Sequence, residues 1–137
     1  LLVKEFIEET KKNQMIATLL KYYKVENVKV KHKLMKDFAY YNVDKGILEL
    51  SSKYKNIKKS QVKQFLITML HEIHHAIDSK RLGWKNFKAD YEWEMSYQIS
   101  RGKDEYKDNK FEIAAEEFGQ KHWKRWKETF KKNGLIE

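Results

Sequence analysis

His71, Glu72, Ile73, His74 and His75 place an H-E-x-x-H pattern inside a strongly apolar run, a pattern that on a helix builds a zinc-dependent hydrolytic site. Two histidines four residues apart lie one turn above each other on a single helical face, so both imidazoles reach one ion at roughly 2.0–2.1 Å. Glu72 follows His71 and flanks that face, where its carboxylate is better placed to act as a base on a water than to bind the ion. A hydrolytic zinc takes three protein ligands and keeps a fourth position for water, so the pair needs another donor. The chain has no cysteine, which limits the donors to histidine and carboxylate.

Position 81 is Arg81, which closes the metzincin route through a third histidine six residues after His75. His32 falls in a strand-like segment, His74 is turned away from the His71/His75 pair, and His122 has no motif around it. The better donor is Glu112, in the run from Phe111 to Gly119. Glu112, Glu116 and Gly119 share one helical stripe, and Ala115 and Gly119 are small enough to let this helix approach another closely. Glu112 is therefore read as the third ligand. Glu116, one turn on, is read as the acceptor for the other ring proton of a ligand histidine, the bond that fixes tautomer and orientation. Two alternatives stand beside this reading. Asn109-x-x-Glu112 also fits a capping box, and Glu92 or Glu94 is a substitute carboxylate.

The elements that must carry these groups follow from periodicity. Leu2 to Tyr23 places Leu2, Phe6, Met15, Leu19 and Tyr22 at helical spacing. Val28 and Val30 alternate with lysines, Phe38 to Val43 is aromatic and β-branched, and Ile47, Leu48 and Leu50 follow the turn signal Asp44-Lys45-Gly46; three strands are predicted, the last two as a hairpin. Ser60 is the expected N-cap and Gly83 the stop of a buried motif helix from Gln61 to Leu82. Trp84 to Ser100 reads as helical in part, 101–109 as a polar break, and Lys110 to Lys132 as a final helix. With 137 residues and 41% hydrophobic content, one α+β domain spanning 1–137 is expected.

His71-Glu72-x-x-His75 followed at a distance by Glu112-x-x-Ala115-Glu116 is similar to the gluzincin metallopeptidases, whose signature is H-E-x-x-H with E-x-x-x-D on a later helix. Glu116 stands where that family has aspartate, and His74 where it often has glycine. The short chain and the Phe118-Gly119 ending look most like the ImmA/IrrE-type proteins of phages and mobile elements. The resemblance, over roughly Gly46 to Gly119, implies a minimal zincin-like domain and a zinc metalloendopeptidase with Glu72 as general base. It also implies an edge strand beside the cleft, so that Ile47, Leu48, Glu49 and Leu50 form a peptide-binding rim, and a protein substrate of the transcriptional-regulator kind. Tyr91, Tyr97, Tyr106 and His122 are the candidates for a donor to the oxyanion.

A formal net charge of +9 reads first as a solubilising lysine surface, because the lysines are scattered with only modest clusters at 53–59 and 121–132. The rival reading is a basic module, bound to nucleic acid or to a protein, that holds a structural zinc without turnover. No run is long and apolar enough for a membrane span, and the charges within Leu1 to Lys12 do not resemble a signal peptide. A cytoplasmic location is expected, although a start at Leu1 leaves room for a removed leader.

Overall fold

The motif helix, the most apolar segment of the sequence, runs through the centre of the molecule. The structure, a computed structural model, describes residues 5–137. In chain order the elements are β1 (Phe6–Ile7), α1 (Glu9–Tyr22), β2 (Lys29–Lys33), β3 (Ala39–Asn42), β4 (Ile47–Ser51), β5 (Ile57–Lys58), α2 (Val62–Leu82), α3 (Trp84–Ser100) and α4 (Lys110–Lys132). The fold class is thus α+β. Short 3-10 turns follow β4 and precede α2.

α2 buries Phe65, Leu66, Met69, Leu70 and Ile73 completely, against Leu48 and Leu50 of the sheet, Met15 and Leu19 of α1, and Trp126 and Phe130 of α4. Each such side chain contributes about 1.5–3 kcal/mol by leaving water, which makes this helix the axis on which the rest is hung. Gly83 ends it at φ +85, a conformation that glycine adopts without strain. The N-cap differs from expectation: Ser60 lies in the preceding 3-10 turn, and the Gln61 side chain accepts a hydrogen bond from the Lys58 backbone at 3.0 Å. No helix among the described residues is long and apolar enough to cross a membrane.

The N-terminal helix is shorter than its periodicity suggested. It begins at Glu9; Phe6 and Ile7 instead pair antiparallel with Lys58 and Ile57, and Leu2 lies outside the described residues. α1 is held from below by Lys12, whose buried ammonium donates to the carbonyls of Tyr54 and Lys55 at 3.0 and 3.1 Å and lies 3.0 Å from His32 Nε2.

The three-stranded sheet has the order β2-β4-β3, which corrects the expected edge. β4 is central, parallel to β2 and antiparallel to β3, so Ile47, Leu48, Glu49 and Leu50 have neighbours on both sides and cannot take an added strand. The physical reason lies in the side chains. β4 buries Leu48, Leu50 and Ser51, as a central strand does, whereas β2, with Lys29, Lys31 and Lys33, is mostly exposed and carries the charges that blunt an edge. Glu49 faces Lys33 across the pair at 3.7 Å. The edge nearest α2 and α3 is β3.

Candidate metal centre

α2 presents His71, Glu72 and His75 from its buried middle, and α4 brings Glu112 down onto them. The approach is close because Gly119 has no side chain: a Cβ there meets the carbonyl oxygen of Ile67 at 2.8 Å. His71 Nε2 and His75 Nε2 both lie 2.8 Å from the same Glu112 oxygen, and the two rings stand edge to face with centroids 5.0 Å apart. One donor atom from each of the three residues falls within 4.8 Å of the others, all buried, and among the described residues no second group of this kind occurs. On the far side of its ring, His71 Nδ1 sits 2.9 Å from Glu116, whose other oxygen accepts from Gln120.

With carboxylates facing both of its nitrogens, His71 sits where positive charge is favoured, as a proton on the ring or, in its place at Nε2, as a metal ion. Burial opposes the charge, but the hydrogen bond to Glu112, reinforced by the charges of Glu72 and Glu112 and by the bond to Glu116, lifts its pKa to about 9. Burial likewise opposes the Glu112 charge, yet the hydrogen bonds from His71 and His75 hold that carboxyl well below the usual carboxylate range. The centre therefore favours positive charge at the point where two imidazole nitrogens and a carboxylate oxygen converge. A divalent cation at that point suits the donors, since histidine and carboxylate are hard-to-borderline ligands of zinc and similar ions.

Glu72 projects into the same cleft. It is buried, and its Oε2 has no hydrogen-bond partner among the described residues. Burial raises its pKa against the pull of His75 and His71, while the Tyr41 backbone on β3 favours the charged form. Around these groups is a cavity of about 740 Å³. β3 with its flanks, from Asp37 to Asp44, forms one wall; Phe87, Lys88, Tyr91, Glu92 and Met95 of α3 form the other. The Tyr91 hydroxyl donates a hydrogen bond to the second oxygen of Glu112. Burial and that contact raise the Tyr91 pKa, and burial with the Glu112 charge raises that of Tyr106, so both phenols remain protonated donors.

Other sequence candidates lie elsewhere. Tyr97 stacks on Trp93 in the open and His122 packs near Phe118; neither lines the cavity. His74 leans toward Asp78 at 3.4 Å, and His32 faces Lys12. Glu92 lines the cavity but is not among the converging donors, whereas Glu94 accepts from Gln98 and from the Lys110 backbone at the start of α4. The capping-box alternative for Glu112 gives way to Asn109, whose side chain caps the Phe111 amide at 2.9 Å. The β3 contribution was missed because strand order has no signature in a single sequence, although the lysines of β2 were a usable signal for an edge. No protein-family model, curated protein or solved structure matches the chain.

Proposed function

We propose that the protein is a zinc-dependent metallopeptidase of the gluzincin kind, with His71, His75 and Glu112 as the metal ligands and Glu72 as the general base. The observation that carries this reading is the convergence of those three buried donors in a cavity that Glu72 also faces. When bound, the ion supplies Lewis-acid polarisation of a carbonyl and a water that is acidic near neutral pH. Glu72 takes the proton of the attacking water and passes it to the leaving amine. Tyr106, held protonated, lines the same cavity and is the donor to the oxygen on which charge develops, while the one Tyr91 proton holds Glu112. Glu116 fixes His71 through Nδ1 and keeps Nε2 aimed at the centre.

An extended peptide is the substrate that fits the walls. β3 offers its free edge to the cleft, in place of the β4 rim inferred from the resemblance, and a chain laid along it gains main-chain hydrogen bonds. A relation to phage-type regulators, and a repressor-like protein as substrate, remains part of this proposal and rests on the sequence resemblance alone. The rival, a basic module with a structural zinc, is disfavoured by the cavity, because structural zinc is enclosed by four protein ligands.

The test is the metal content of purified protein together with turnover of labelled, unfolded casein. Stoichiometric zinc in the unaltered chain, depletion in Glu112→Ala, and retained zinc without proteolysis in Glu72→Gln support the proposal. Absence of zinc from the unaltered chain, or proteolysis by Glu72→Gln, overturns it. Full zinc occupancy with no proteolysis and steeply salt-dependent DNA binding favours the rival.

A further inference from the structure

The two walls of the cleft are joined at one end. Lys88 of α3 reaches across to Asp44, in the turn after β3, and its ammonium sits 3.0 and 3.3 Å from the two carboxylate oxygens. Both residues line the cavity. Among the described residues this is the one ion pair between these walls. Asp37, Phe38 and Met95 also line the cavity, and one acid beside two apolar side chains forms no ion pair there.

Glu72 faces the Tyr41 level of β3. From Tyr41 to Asp44 the chain advances three residues and turns after Asn42, so the span is at most roughly 10 Å, the reach of three extended residues. An extended peptide paired with β3 therefore has room for at most about three residues between the reacting bond and the Asp44–Lys88 bridge. Pairing along a free edge is more stable antiparallel than parallel, and an antiparallel peptide points its amino-terminal side toward the carboxyl end of β3, where the bridge lies.

We infer that the Asp44–Lys88 pair is a strap across the cleft that restricts substrates to peptides with a short amino-terminal flank, about three residues before the scissile bond. The inference rests on the peptide-cleft reading above and names a specificity determinant within it. Both side chains are substantially exposed, so the strap is weak and opens at a modest cost. Its effect is a preference for short flanks, and longer chains are disfavoured without being barred.

Two sets of zinc-binding peptide hydroxamates test this by equilibrium binding to the zinc-loaded protein, with no turnover required. In one set the hydroxamate ends the peptide and the chain extends to the amino-terminal side, from two to six residues. In the other it begins the peptide and the chain extends to the carboxyl-terminal side. In the first set, affinity is expected to drop two- to fivefold past about three residues, the factor an exposed ion pair can supply; in the second it should not drop with length. Lys88→Asp, which sets two carboxylates face to face, removes the drop. The exchanged pair Asp44→Lys with Lys88→Asp restores it, and 0.5 M salt weakens it in the unaltered protein. Length-independent binding of the first set, a drop in the second set instead, or a drop that Lys88→Asp leaves intact overturns the strap while the peptide-cleft reading stands. Failure of both sets to bind zinc-loaded protein at any length overturns both.

Discussion

Gly119→Ala separates the geometry of this site from ordinary helix propensity. In an unobstructed helix interior the change stabilises by about 0.5–1 kcal/mol. Here the added methyl meets the Ile67 carbonyl oxygen at 2.8 Å and Ile67 Cγ2 at 3.3 Å, where ordinary contact begins at 3.4 Å. The nearest atom is backbone, so no rotamer change relieves it, and α4 must withdraw by about 0.6 Å, an overpacking that costs about 1–3 kcal/mol. The net expectation is a loss of about 1–2 kcal/mol, read in urea as a midpoint lower by about 0.5–1 M. Glu112 lies two turns earlier on the same stripe, roughly 10.5 Å along the axis, and a site whose ligand distances tolerate about 0.2 Å loses zinc affinity by about tenfold or more. Ile67→Ala, which leaves the carbonyl in place, should not rescue either effect. If Gly119→Ala raises the midpoint and leaves zinc affinity unchanged, α4 is not seated on α2 as described and the placement of Glu112 loses its support.

Four further outcomes are expected. Glu116→Ala, which frees His71 Nδ1, lowers zinc affinity by about 10–100-fold in chelator competition, with unchanged far-ultraviolet circular dichroism. Tyr91→Phe, which frees the second oxygen of Glu112, lowers zinc affinity by about 10–100-fold in the same competition, whereas Tyr97→Phe, away from the cavity, does not. Saturating the centre with zinc at one hundred times its Kd adds about 2.7 kcal/mol to unfolding stability, seen as a higher urea midpoint that EDTA reverses and that His75→Ala lacks. Burial and the Lys12 and Lys55 charges outweigh Glu9 and lower the His32 pKa in the folded state, so its contribution to stability is intact above its unfolded pKa of about 6.5 and is lost as pH falls through that value toward the folded one; in urea titrations over this range His32→Gln should show a smaller acid loss than the unaltered chain.

The parts of this molecule that could be read from its sequence are those in which periodicity and chemistry coincide. His71 and His75 declared themselves because one helical turn is an invariant spacing, and Gly119 because a small residue on the Glu112 stripe has a purpose only if another helix comes near. α3 and α4 began and ended close to where composition changes. The two-residue strands Phe6–Ile7 and Ile57–Lys58 were invisible because two residues cannot show a period, and the four-residue spacing of Leu2 and Phe6 in the sequence drew the first helix too far forward. Strand order was lost for a different reason: Ile47 to Leu50 has the alternation of a half-buried strand wherever it lies in the sheet, and only comparison with the lysines of β2 separates a centre from an edge. Long-range pairs such as Tyr91 with Glu112 or Lys88 with Asp44 depend on how α3 is laid over α2, which no local pattern specifies.

How α4 begins decides what Glu112 is free to do. The first amides of a helix need acceptors, and an acidic residue in the first turn commonly supplies one, which is why Asn109-x-x-Glu112 reads equally well as a cap. Two other residues take that duty. Asn109 accepts from the Phe111 amide at 2.9 Å and, through its carbonyl, from Ile113 at 2.9 Å; Glu94, reaching over from α3, accepts from the Lys110 amide at 2.9 Å. Glu94 thus ties the wall of the cleft to the start of the helix that carries the carboxylate, and Gly119 clamps that helix further along. Between these two fixed points Glu112 has no backbone to serve, and its oxygens turn to His71, His75 and Tyr91.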